Sequence, residues 1–316
     1  SHSPYRDVEL TLAGACAACD VSFLTTVTRL GVRCAQGCAL TVPTSVVALR
    51  VFPGAGSVTV AGTDSVTSLD VPGQTVRTGP CPRLRELVWS GETLSDETLP
   101  FPVRRATGLA AATVSVAGTV DPGFRFPAGL TSLSMHLPDT PADLSHIGAL
   151  TRLRELTLCG KKYTALEMLA LMSPTAMTKP NTSRLFIGGL PPSLTKLNTS
   201  HLLVARLPPS LAECTVLLQS DTDFSPLTAL TSLCVSLEAD VRVTFPTGLR
   251  RLRVFGERLC RSNIGDVSLE SVDLRGFPVT QAELDALPKT VRTVDGQFEP
   301  ASLRERLREM FPLLHD

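Results

Sequence analysis

Aromatic side chains are scarce in this chain, at 5% of residues with one Trp and two Tyr. Large aromatics usually dominate the core of a compact enzyme, whereas small aliphatics in regular order suit thin, evenly spaced layers. Net charge is lacking as well. The 30 Lys and Arg are matched by 30 Asp and Glu, which argues against a nucleic-acid protein, because that affinity comes from cations clustered on phosphates. No apolar run reaches the roughly 18 residues that span a bilayer. The opening SHSPYRD carries neither an initiator Met nor a secretory leader, so it is expected to be an added remnant or the edge of a longer protein.

Catalytic motifs are missing too. There is no Gly-x-Ser-x-Gly, no His-Glu-x-x-His and no Gly-rich loop ending in Lys-Ser or Lys-Thr. GAGSV at Gly54 lacks the third glycine and the helix of a dinucleotide site. His2, His136, His146, His201 and His315 stand in no ligand spacing. The expectation is a non-catalytic chain with no cofactor.

Nine cysteines run from Cys16 to Cys260, too sparse for a disulfide-stapled secreted scaffold. They read as reduced thiols in a cytoplasmic protein, with a secreted effector as the alternative. The sequons at Asn181 and Asn198 pull the other way.

What is present is a period. The pattern aliphatic-x-x-aliphatic-x-aliphatic falls on Val27-Leu30-Val32, Val46-Leu49-Val51, Val66-Leu69-Val71 and Leu84-Leu87-Trp89. It returns at Leu130-Leu133-Met135, Leu153-Leu156-Leu158, Leu230-Leu233-Val235, Leu249-Leu252-Val254 and Leu269-Val272-Leu274. Weaker copies begin at Asp7, Val103, Thr182, Leu194, Leu211 and Val291. From Val27 the first anchors step by 19, 20, 18 and 19 residues, and from Leu194 by 17, 19, 19, 20 and 22. A fixed period near 20 marks stacked supersecondary units. LPPSL, written at both 190–194 and 207–211, is one visible instance.

Proline precedes nine anchors by three residues or fewer, Pro43, Pro127, Pro192 and Pro246 among them. It ends the preceding segment and favours an extended start to each strand. So short a unit holds a strand of three or four residues, a turn, and a return that is extended or 3-10. Helical returns are expected at 140–150, 161–172 and 280–287, the last through Thr280 and Glu283 in capping-box spacing. Leu303, Leu307 and Met310 share one face of a C-terminal helix that would cap the last coil.

FPAGLTSLSM, LPPSLTKLN, FPTGLRRLRV and LPKTVRTVD resemble leucine-rich repeats, and are most similar to the short proline-bearing repeats of bacterial effectors and protist proteins. The resemblance implies an α/β horseshoe over residues 1–300, about fifteen units, with parallel strands on a concave face and a capping helix at 301–316. It also implies that this face binds a protein. The Asn that such repeats carry after the last anchor is replaced here, by Gly54, Gln74, Glu92 and Glu257 among others, which predicts less regular turns. Related ubiquitin-ligase effectors add a catalytic domain with Cys-x-Asp. No Cys-x-Asp occurs here, so the alternative is the substrate-recognition part of such a protein, its catalytic segment elsewhere.

Residues between the anchors should face the concave side. The candidates are Arg50, Asp70, Glu86, Val88 and Glu155, then Arg184, Phe186, Lys196 and Asn198, then Arg251, Arg253, Phe255, Asp273 and Arg275. Arg250, Arg251, Arg253 and Phe255 beside Arg275 form a basic patch with an aromatic. Mixed charge with exposed apolar groups suits a protein partner better than a polyanion. Cys214 fills an anchor slot, while Cys159 and Cys234 point outward. Asp221 and Asp223 read as loop-capping acids. A third reading takes Cys16, Cys19, Cys34 and Cys38 as a four-thiolate zinc site in a nucleic-acid protein, against the plainer view that these small side chains pack a turn.

Overall fold

The computed structural model describes residues 6–12, 18–73, 76–137, 144–159, 190–199, 207–218, 221–237, 241–256, 259–260, 262–274, 285 and 287–295. The expected helices at 161–172 and 301–316 lie outside them. The chain divides into two compact units, Ser1–Pro191 and Pro192–Asp316.

In the first unit the strands are β1 (Asp7–Leu12), β2 (Ala18–Asp20), β3 (Arg29–Thr41), β4 (Ala48–Ala61), β5 (Ser68–Pro72), β6 (Val76–Thr78), β7 (Glu86–Leu94), β8 (Ala111–Val120), β9 (Ser132–His136) and β10 (Glu155–Cys159). The main sheet runs β1-β3-β4-β5-β7-β8-β9-β10, every pair parallel. The second unit contains β11 (Lys196–Thr199), β12 (Glu213–Leu218), β13 (Thr222–Asp223), β14 (Ser232–Leu237), β15 (Val241–Thr244), β16 (Arg251–Gly256), β17 (Leu259–Cys260), β18 (Ser271–Asp273) and β19 (Thr293–Asp295). Its main sheet is the parallel series β11-β12-β14-β16-β18-β19. Each coil adds one strand to the main sheet, parallel to its neighbours.

The register is the one the period implies. Leu30, Leu49, Leu69 and Leu87 stand in line across β3, β4, β5 and β7, and each is at most 2% exposed. Cys214, Leu233, Leu252 and Val272 form the matching row of the second unit. Side chains alternate along a strand, so the residues between these anchors face outward.

The turn ahead of each strand is also repeated. The first anchor donates its N–H to the carbonyl three residues earlier, as in Val46 to Pro43, Leu130 to Pro127, Leu211 to Pro208 and Leu249 to Pro246. Proline therefore sits at the first position of a tight turn, where only its carbonyl is needed, and not at the first residue of the strand. After the anchor, two successive N–H groups share one carbonyl of the preceding coil. Thr67 and Ser68 donate to Val47, and Arg250 and Arg251 to Thr231.

Hydroxyls just ahead of the first anchor bond carbonyls of the preceding coil. The Ser65 Oγ donates to the Val46 carbonyl at 2.8 Å and the Ser45 Oγ to the Val27 carbonyl at 2.8 Å. The Ser210 Oγ reaches the Leu194 carbonyl at 2.8 Å. The Asn263 side chain makes such a rung: it accepts from Phe245 N–H at 2.7 Å and donates to the Phe245 carbonyl at 3.0 Å.

Four expectations are corrected. The first strand is offset by two residues from the copy placed at Asp7, because Val8 and Leu10 pair with Leu30 and Val32. The copy placed at Val103 belongs to a return. Val103–Arg105 is a 3-10 segment, and the strand register is Leu109-Ala112-Val114, with Ala112 opposite Leu87 and Val114 opposite Trp89. Of the return expected to be helical at 140–150 the described part is 3-10 at Ser145–Ala149, as is Ile264–Asp266, while 280–287 lies outside the described residues apart from Asp285 and Leu287. Among the described residues only Asp285 has α-helical backbone. Finally, β3 and β4 are 13 and 14 residues long, because they round a corner while still paired and then continue on a second side with β2 and β6. The fold is a parallel β-solenoid.

Buried aromatics occur in ordinary coils, at Phe224 and Phe245, and in the long ones. Between Leu84 and Leu153 the coils outgrow the basic period, and Trp89, Phe101, Phe124 and Phe126 fill them, each no more than 6% exposed.

Candidate outward strand face

On β4 the side chains alternate, so Arg50 and Phe52 emerge on the same side while Val51 is buried. The Arg50 Nε donates to Asp70 Oδ2 on β5 at 2.7 Å. Two guanidiniums flank the Phe52 ring, Arg50 at 4.5 Å and Arg33 of β3 at 4.8 Å from its centroid. Looser ion pairs continue along the edge, Arg33 with Glu9 at 3.7 Å and Arg29 with Asp7 at 3.8 Å.

The second unit repeats the arrangement. Arg253 and Phe255 emerge from β16 around buried Val254, and the Arg253 Nε donates to Asp273 Oδ2 on β18 at 2.7 Å. The Arg253 guanidinium lies 6.0 Å from the Phe255 ring centroid. Arg-Val-Phe is written at both 50–52 and 253–255, and in each case the acid stands directly across the ladder one coil later. Phe52 and Arg33 are not among the residues singled out from the sequence; the repeated tripeptide signals Phe52, and nothing in the pattern signals Arg33.

The expected basic patch is a mixed one. Arg250 meets Glu270 at 3.3 Å, and Arg251 lies 4.0 Å from Glu213, which also faces Lys196 at 3.6 Å. Asp273 is the exception to an exposed face, with its side chain 8% exposed beneath Arg253. Beside that pair Cys234 is half-buried, and burial pushes its thiol up, with Asp273 adding and Arg253 and the Thr215 hydroxyl opposing. Cys159 is partly exposed on β10. Cys214 faces the core, where burial first and Cys234 second push its thiol up to about 12.

Glu86, Glu155, Lys196 and Asn198 are exposed on the outward face, as are Val88 at 42% and Phe255 at 37%. Arg184, Phe186 and Arg275 lie outside the described residues, as does Cys16. Of the other three cysteines considered as zinc ligands, Cys34 and Cys38 are buried in the corner of β3, and Cys19 on β2 stands opposite Leu40. Among the described residues no three His, Cys, Asp or Glu cluster as a metal site would require. Asp223 accepts the Ser225 N–H at 2.9 Å and Asp221 the Arg242 N–H at 2.7 Å, so both acids serve backbone donors. No helix among the described residues is long and apolar enough to cross a membrane.

Strand register, parallel pairing and outward polar rows define a parallel-strand repeat solenoid. No family model and no curated protein matches the chain. Among solved structures, a leucine-rich-repeat protein of Leptospira interrogans aligns over 99% of this chain and 95% of its own, at 15% identity and a TM-score of 0.37.

Proposed function

We propose that the chain is a non-catalytic recognition module that binds a protein through the outward strand face. The observation that carries this reading is the Arg-x-Phe and Asp constellation, built once in each unit at the same register, with both guanidiniums held by 2.7 Å ion pairs. Side chains fixed before contact lose little entropy on binding, and Arg beside an aromatic is the chemistry enriched at interface hot spots. Around them, Glu86, Val88, Glu155, Lys196, Asn198 and Arg251 supply the mixture of charge and apolar area that a protein partner matches. The solenoid is taken to occupy residues 1–300, with 301–316 as a helix covering the last coil. A cytoplasmic setting fits cysteines too sparse for a disulfide-stapled scaffold.

Arg253→Glu is a poor probe, because it sets a second acid against buried Asp273. The test is affinity capture from cells that express the protein, with Arg251→Glu combined with Phe255→Ser, and separately Phe52→Ser. Both alterations leave the anchors intact, so circular dichroism should be unchanged while the captured protein is lost or reduced at least tenfold. Capture at wild-type levels by both variants would remove this face from the reading.

A further inference from the structure

The Cys34 and Cys38 sulfurs lie 3.3 Å apart inside the corner of β3. Both point into the coil, at 1% and 7% exposure. The chain between them turns where the β3–β4 register shifts, between Gln36 and Cys38. On the next coil the residues in register are Pro53 and Val58, so the equivalent positions carry no sulfur. A disulfide would bring the two sulfurs to about 2 Å.

We infer that Cys34 and Cys38 form an intramolecular disulfide site that reacts with low-molecular-weight disulfides of the glutathione class. Cys38, the more accessible sulfur, attacks as the thiolate and breaks the S–S bond of oxidised glutathione, releasing one glutathione thiolate and leaving a mixed disulfide. The Cys34 thiolate then attacks the Cys38 sulfur, and the second glutathione departs. The two thiols are oxidised, oxidised glutathione is reduced to two glutathione molecules, and the two thiol protons pass to solvent and the departing thiolates. The product ring encloses only residues 35–37, so it braces the corner where β3 leaves the outward face and restricts the unfolded chain little.

Trypsin tests this directly. Cleavage after Arg33 and Arg50 releases residues 34–50, which contain Cys34 and Cys38 and no other cysteine. The full-length protein is equilibrated with oxidised glutathione, alkylated and digested. The expected peptide is lighter by two hydrogens, carries no alkyl group, and gains two alkyl groups after reduction. In Cys34→Ser, Cys38 should instead retain a stable glutathione adduct, since the resolving thiol is gone. Two alkylated cysteines in the wild-type peptide, under conditions where Cys159 or Cys234 carries glutathione, would overturn the assignment. So would a crosslink from Cys34 or Cys38 to any other peptide. Circular dichroism on the same samples confirms that the fold is retained, and the wild-type result stands whether or not the serine variant folds.

Discussion

The two arginine–aspartate pairs look alike yet should differ in worth. Asp70 keeps 28% of its side chain exposed, so water can take over when Arg50 is removed, and Arg50→Ala should cost up to about 1 kcal/mol. Asp273 is 8% exposed, and removing Arg253 strips a buried carboxylate of its paired charge. Arg253→Ala should therefore cost on the order of 3 kcal/mol, read from urea unfolding. Equal losses would mean that Asp273 is held by its other contacts. Cys214 makes a pH prediction. Its thiol rises from an ordinary 9.0 to about 12 in the folded state, so between these values the folded chain retains a proton that the unfolded chain has lost. The stability contribution is complete below pH 9 and falls as pH rises towards 12, at up to about 1.4 kcal/mol per pH unit. Cys214→Val should flatten that part of the profile. These residue-level differences could not be read from the sequence, where Asp70 and Asp273 occupy identical pattern positions. Burial separates them.

At the scale of the element, the turn and its hydroxyl decide how one coil sits on the next. Ser65→Ala deletes the 2.8 Å bond to the Val46 carbonyl, and the expected loss is about 1 kcal/mol. Gly62 is more demanding. Its φ is +78°, and an added Cβ would stand 2.5 Å from the Val42 carbonyl oxygen, so Gly62→Ala should cost at least 1–3 kcal/mol, roughly. Thermal unfolding of both variants checks the order, Gly62→Ala being the worse. The strands were legible beforehand because period-two alternation inside a period near twenty leaves few registers. Leu109-Ala112-Val114 was hidden because Ala is a weak signal in an anchor slot, while Val103 nearby is strongly apolar. The structure shows why Ala serves: Leu87 and Leu133 flank Ala112 on the neighbouring strands, and larger side chains fill the rest of that long coil. Ser at the position before an anchor was readable too, at Ser45, Ser65 and Ser210, but its partner carbonyl belongs to another coil.

Over the whole molecule, stability in each unit is a sum over neighbouring coils. Leu69 is fully buried in the first unit, and Leu69→Ala should cost about 2–5 kcal/mol. The damage should be local: hydrogen exchange should quicken in β4, β5 and β7 and change little in β9 and β10. Uniform loss of protection across the first unit would instead indicate one cooperative core.

The amino-acid order by itself determined the spacing of the anchors, the side of each strand that is buried, and hence the outward rows, because alternation and period are properties of a chain whether or not its coils touch. It also named most of the outward candidates. Tertiary structure alone decided which of them are accessible, which arginine holds which acid, that two strands round a corner to a second side, and that Cys34 meets Cys38. Those outcomes depend on contacts between residues about twenty positions apart, or across a bend, where distance is set by how coils stack and corners turn and is not written in the local pattern.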